Sequence, residues 1–282
     1  MNILDVQKII KDKIIGVWIP EHDDKGHHYR NTIDNRLVDS VTTQNIIDKP
    51  HLIKWAARIG VEYFIDRMQL YCKETHEQLV KDSSLAYTGI RDDAGFVGNE
   101  IHDVVENYIN YWIETDKRDL DIITFIPSWS DPRVYAGARS AEKLFDKHPN
   151  VKPIASELLV GSTDKKIDAA GTLDFLVWVW DESIYNGWIE LWDWKSSNSA
   201  VHDDYAIQVA TYKAFFEQMS GLKIKRCTII GLSKMFDNYK MYDVPYTNRA
   251  YSVFKNNHKT YLWLKKDTSP KLIERKNRLI IK

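Results

Sequence analysis

Cysteine is nearly absent from this chain. Cys72 and Cys227 are its only two, and they stand far apart in sequence. Two isolated thiols cannot form the disulfide framework of a small secreted protein or a paired zinc pattern. They are also too few to ligate an iron–sulfur cluster, so no such cluster is expected. Charge of one sign is missing as well, because 39 basic residues face 40 acidic ones for a net charge of −1. The protein is therefore no polycation, and any attraction to nucleic acid must come from local basic patches. No run of apolar residues reaches membrane-spanning length, and the opening MNILDVQKIIKDK carries charges through its apolar stretch and no cleavage-site pattern. The expectation is an intracellular, cytoplasmic protein with no membrane partner, in the host cytoplasm if phage-encoded. Internal repeats and low-complexity segments are also lacking. With 44% hydrophobic and 28% charged residues over 282 positions, the chain can bury a sizeable core, and its length suits one elaborated α/β domain.

The informative segment runs from Gly171 to Ser197. Thr172 to Trp180 and Trp188 to Lys195 are rich in Val, Ile, Leu, Phe and Trp, and the residues between them end in Asn186-Gly187. That pattern predicts an antiparallel hairpin. If Trp180 pairs with Gly187, Asp174 stands opposite Asp193, near enough for two carboxylates to share a divalent cation. Lys195 returns to the same face two residues later. Behind these lie Leu176, Trp178, Ile189 and Leu191. The other face carries Leu173, Phe175, Val177, Val179, Trp188, Trp192 and Trp194. Both faces are apolar, which suits a sheet covered by helices on two sides.

Elsewhere, residues 14 to 43 read as short strands around a turn at Asp23–Gly26, with His22, His27 and His28 exposed on that hairpin. Asp48 offers an N-cap to a helix with Pro50 in its first turn and Leu52, Trp55, Ile59 and Tyr63 at helical spacing, to about Leu70. A second helix is predicted from about Gly98 to Glu114, with His102, Val105, Ile109 and Trp112 on one stripe. A Pro/Ser-rich connector at residues 126–133 leads to a helix from Val134 to Lys147, then a strand from Ser156 to Val160 carrying Glu157. After a loop at Ser196, Ser197 and Asn198, a helix from Asp203 to Met219 puts Tyr205, Gln208, Tyr212 and Phe215 on one face. Arg226 to Ser233 reads as a buried strand. The basic run from Lys265 to Lys282 is either a solvated tail or a phosphate contact.

In sequence order, Gly98 to His102 resembles a G-x-x-x-H motif, Gly171 to Asp174 a first core aspartate, Asp193 to Lys195 a D-x-K, and Gln208 to Tyr212 a Q-x-x-x-Y. Together they make the chain similar to the PD-(D/E)xK nuclease superfamily, in its RecB-type and phage-type exonuclease branch, which includes the mitochondrial genome-maintenance exonuclease. Ser40 to Thr43 and Lys49 to Ala56 also resemble the N-terminal signature of phage members, so the likeness runs from about residue 36 to 235. Leu173 departs from the family pattern, standing where the proline would be.

The resemblance implies a restriction-endonuclease-like α/β core, a mixed β-sheet flanked by helices, with an N-terminal β-hairpin and helical elaboration. It implies one nuclease domain over 1–282, with N-terminal strands and helices to 95, the core at 96–235, and a C-terminal helix and basic tail at 236–282. The expected activity is metal-dependent DNA exonuclease cleavage in phage-type recombination or DNA processing. Asp174, Asp193, Lys195, Gln208 and Tyr212 would be catalytic. His102, Asp174, Asp193, the Trp194 main-chain carbonyl and Glu157 would hold one or two Mg²⁺ or Mn²⁺ ions. Glu106 would orient His102. Ser196, Ser197, Gln208 and Tyr212 would meet nucleic acid. DNA ends are the implied substrate, and a single-strand annealing protein the implied partner. A structure-specific endonuclease on the same site, and a non-catalytic member that only binds nucleic acid, are the alternatives. Paired carboxylates beside many tryptophans also suit a glycoside hydrolase, but Lys195 has no task there and Glu190 points away from Asp193.

Overall fold

The computed structural model describes residues 2–23, 26–46, 49–68, 75–184, 186–196 and 202–265. Its frame is an eight-stranded mixed sheet flanked by helices. The strands are β1 (Trp18–Asp23), β2 (Gly26–Asn31), β3 (Leu37–Ser40), β4 (Val151–Gly161), β5 (Ala169–Asp181), β6 (Asn186–Lys195), β7 (Ile224–Leu232) and β8 (Tyr239–Asp243). The helices are α1 (Ile3–Lys13), α2 (Val41–Gln44), α3 (Pro50–Arg67), α4 (His76–Thr115), α5 (Pro132–Lys147), α6 (Asp203–Ser220) and α7 (Thr247–Lys265). No helix among the described residues is long and apolar enough to cross a membrane.

The β5–β6 hairpin has the predicted register, with Trp180 opposite Gly187 and Phe175 opposite Trp192. Each face of it nucleates one half of the core. Leu176, Trp178, Ile189 and Leu191 pack with α1, α6 and α7 on one side. Phe175, Val177, Val179, Trp192 and Trp194 pack with α4 and α5 on the other. Leu173 differs from its expected place, since it joins the α6 side with Leu158 and Val160. Strict alternation would have kept it with Phe175, so the pleat slips between these two residues.

Several elements exceed or escape the sequence reading. α1 was not expected, although Asn2 and Asp5 form a capping box and Val6, Ile10 and Ile14 are buried. α4 starts at His76 instead of Gly98, and at about 1.5 Å per residue its 40 residues span about 60 Å. Among the buried residues of α4 only Leu79 precedes Val97, so its first half forms a two-helix arm with α3, where Trp55 meets Tyr87 edge-on. α3 begins at Pro50 as predicted, without a side-chain cap from Lys49; Asp48 lies outside the described residues. His28 is not an exposed hairpin histidine, because its Nδ1 sits 2.8 Å from the Asp39 carboxylate. The same Asp39 accepts from Tyr261 and Lys265 of α7, which commits Lys265 to an internal ion pair. The rest of the basic C-terminal run, and Cys72, lie outside the described residues.

α5 clamps α4 at Gly137. A β-carbon there would overlap the buried Ile101 side chain, next to His102. Gly137→Ala should therefore cost about 1–3 kcal/mol by overpacking. A urea midpoint unchanged from the parent would show that α4 can shift freely at this contact.

Candidate metal centre and active site

Local geometry around Asp174 comes from a fork in the sheet. One edge of β5 carries β4 along nearly its whole length. The other edge pairs with β3 at Ala169 and Ala170, and with β6 only from Phe175 onward. Residues 171–174 therefore lie between two diverging strands. The β4 ladder also skips there, pairing Ser156 with Phe175 and Leu158 with Leu173. Glu157 falls in that gap with φ of +46°, a left-handed conformation that costs a non-glycine residue about 1–3 kcal/mol. Such strain persists where the surroundings enforce it, and here it re-aims one carboxylate.

Three predicted ligands meet at the fork. One ligating atom each from His102, Glu157 and Asp174 lie within 4.8 Å of one another. His102 Nδ1 is 3.9 Å from Asp174 Oδ2, and the same oxygen accepts the Trp194 main-chain N–H at 2.7 Å. The Trp194 main chain lies near enough to His102 to favour its protonated form, against burial and Lys195. Asp193 stands outside this trio. It is fully buried, and its Oδ2 lies 2.6 Å from Lys195 Nζ. That contact is close but poorly aligned, and neither Asp193 oxygen makes a hydrogen bond of good geometry. The Tyr205 ring lies under the Lys195 ammonium, with 5.1 Å from Nζ to the ring centroid.

Charge at the site is unbalanced. Burial, then Asp174, Glu106, Asp193 and Asp103, push the Glu157 carboxyl up to about 9. Burial raises Asp174, against the pull of Lys195 and the Trp194 N–H. Burial also raises Asp193 to about 6, while Lys195 opposes it. For Lys195, burial alone would favour the neutral amine, but Asp193 and Asp174 more than reverse this and its pKa is raised. Burial and the Lys195 charge depress His102 to about 4, so its imidazole is neutral at pH 7, the form that ligates a metal. His102, Glu157 and Asp174 thus form a group that could hold a metal ion, two carboxyls beside a neutral imidazole.

The remaining predicted residues divide. Gln208 is half-buried and donates from Nε2 to Tyr212 Oη at 3.1 Å. Tyr212 is only 3% exposed, its ring laid against Gly171, where a β-carbon would come within 2.6 Å. Its phenol ring is thus a core group that packs α6 against β5, with the hydroxyl turned to Gln208. Glu106 is half-buried one turn from His102, its own pKa raised by burial and Asp103. Ser196 is half-buried beside Gly98, and Ser197 lies outside the described residues. Glu190 belongs elsewhere, accepting from the indole N–H groups of Trp188 and Trp192. Asp103, one residue after His102, adds its charge to the raising of Glu157 and Glu106.

No family model and no curated protein matches the chain. Among solved structures it is similar to the crystal structure of SSO0001, with a TM-score of 0.30 and 12% identity over 59% of this chain and 75% of that one. A likeness of that size carries no argument, and the family resemblance rests on the motif residues alone.

Proposed function

We propose that this chain is a divalent-cation-dependent nuclease with a restriction-endonuclease-like core, acting on DNA ends as an exonuclease in phage-type recombination or DNA processing. The observation that carries this reading is the meeting of His102, Glu157 and Asp174 at a sheet fork, beside the buried Asp193–Lys195 pair. His102, Glu157 and Asp174 would hold the ion, with Asp193 and the Trp194 carbonyl adjoining. When bound, Mg²⁺ or Mn²⁺ polarises the scissile phosphate and lowers the pKa of coordinated water.

The chain's own groups then have distinct tasks. Lys195, kept protonated by Asp193 and Asp174, offers N–H donors to charge developing on the phosphate oxygens. Asp193 and the Tyr205 ring fix where that ammonium points. Gln208, held by Tyr212, would offer its remaining amide donor to the substrate. His102 stays neutral and ligates without a proton to lose.

Digestion of matched linear and closed-circular DNA, single- and double-stranded, with Mg²⁺, Mn²⁺ or EDTA, tests the reading. Loss of linear DNA alone, dependent on metal and absent in Asp174→Asn, is expected. Cut circles would make the enzyme an endonuclease on the same chemistry, and binding without any cleavage would leave a non-catalytic nucleic-acid binder. A pull-down with a single-strand annealing protein tests the implied partner, and failure to recover it would remove that partner.

A further inference from the structure

β6 and β7 run parallel, with Lys195 beside Gly231, so the segments that follow them leave the sheet at the same end. Ser196 follows one strand, and Lys234 sits in the turn after the other. Both converge on Gly98, one helical turn before His102 on α4. A β-carbon at Gly98 would lie 2.9 Å from Ser196 Oγ and 3.8 Å from Lys234 Nζ. The Gly98 backbone, the Ser196 hydroxyl packed against it and the Lys234 ammonium thus meet at one notch, a helical turn from the candidate ligand His102.

Lys234 is half-buried, and the carboxylates around it are already committed. Arg133 holds Asp93 with two bonds, at 2.7 and 2.8 Å, and Asp131 at 2.8 Å. The Lys234 ammonium donates instead to a neutral group, the Ala94 carbonyl at 2.8 Å. Burial and Arg133 lower its pKa, against the nearby charges of Asp93 and Asp131. An ammonium has three donors, and one carbonyl uses one of them.

Resting on the nuclease reading above, we infer that Lys234 and Ser196, across the Gly98 notch, bind the phosphate next to the scissile one. This makes Lys234 a substrate-positioning residue that sets the register of the strand over the metal cluster. A phosphate oxygen would take the remaining Lys234 donors and the Ser196 hydroxyl, and it can approach the helix because position 98 has no side chain.

Two substrates separate this role from a structural one. A single-stranded oligonucleotide has the neighbouring phosphate, and the 4-nitrophenyl ester of thymidine 5′-monophosphate has only the one that is cleaved. With Mn²⁺, Lys234→Ala should raise KM for the oligonucleotide about tenfold, the loss of one charge-assisted hydrogen bond. Its loss on the oligonucleotide should exceed that on the ester about tenfold. The slope of log kcat/KM against log salt should become shallower by about 0.7, one single-strand phosphate contact. Lys234→Arg should restore most of the affinity, and Gly98→Ala should reproduce the KM effect by filling the notch. Equal losses on both substrates, no loss on either, or an unchanged salt slope would overturn the assignment. If the parent protein cleaves neither substrate, the nuclease reading fails instead. Fluorescence anisotropy with the same oligonucleotide then decides the notch, which survives only if Lys234→Ala weakens binding and flattens its salt dependence.

Discussion

Lys195→Met is expected to lose cleavage and stability together. The first loss, at least about 10²–10³ in kcat, follows from removing a fixed cation aimed at developing phosphate charge. The second follows from burial. Asp193 is 0% exposed and Lys195 Nζ is its close counter-charge, so removing the lysine strands a carboxylate in the core. Breaking a buried pair in this way costs about 3–5 kcal/mol. Asp193→Asn together with Lys195→Met should recover most of that stability while remaining inactive, because the paired removal leaves no uncompensated charge. Urea unfolding of the parent, both single variants and the double variant gives the coupling directly. A Lys195→Met protein as stable as the parent would show that this ion pair does not hold Asp193 in the core. Parental cleavage by it would remove Lys195 from the chemistry.

The same pair shows what was legible in the sequence and what was not. Asn186 and Gly187 pair with Asp181 and Trp180 as the first residues of β6, the period of two then brings Asp193 and Lys195 to one face, and both features are local. α6 and the end of α4 were legible because their apolar residues recur at helical spacing. The arm half of α4 was not, since it is mostly exposed and packs chiefly on α3. Tyr212 could not be told from a surface phenol until Gly171 was placed beneath its ring. The left-handed Glu157 left no local trace either. A glutamate in a strand carries no preference for positive φ, and only the meeting of β3, β4, β5 and β6 imposes it. Motif spacing thus named the candidate ligands, but their grouping, with Glu157 inside the trio and Asp193 outside, depends on a sheet fork built from distant segments.

Without added metal, Glu157 should take stability away as pH rises from about 4.5 to about 9, most plainly above about 6.5, where His102 is neutral in the folded and unfolded chain alike, and Mn²⁺ should reverse the effect. In the unfolded chain Glu157 ionises near its ordinary 4.5, whereas in the fold it keeps its proton until about 9. Between those values the folded state binds more protons than the unfolded one, so each step up in pH favours unfolding, by as much as about 1.4 kcal/mol per pH unit from this group. Below the window both states are protonated and the penalty vanishes. A divalent cation supplies the missing counter-charge and binds only the assembled trio. At a hundredfold excess over Kd it should add about 2.7 kcal/mol, or about 5–10 °C in Tm. Glu157→Gln removes the ionisable group, so it should flatten the pH dependence and shrink the Mn²⁺ shift, while relieving the crowding of Asp174 in the metal-free protein. Thermal melts of parent and variant at several pH values, with Mn²⁺ or EDTA, test each part. A parent whose Tm ignores Mn²⁺ would sink the metal centre itself. A pH slope shared equally by Glu157→Gln would assign the slope to other groups and leave the strained glutamate with no electrostatic role.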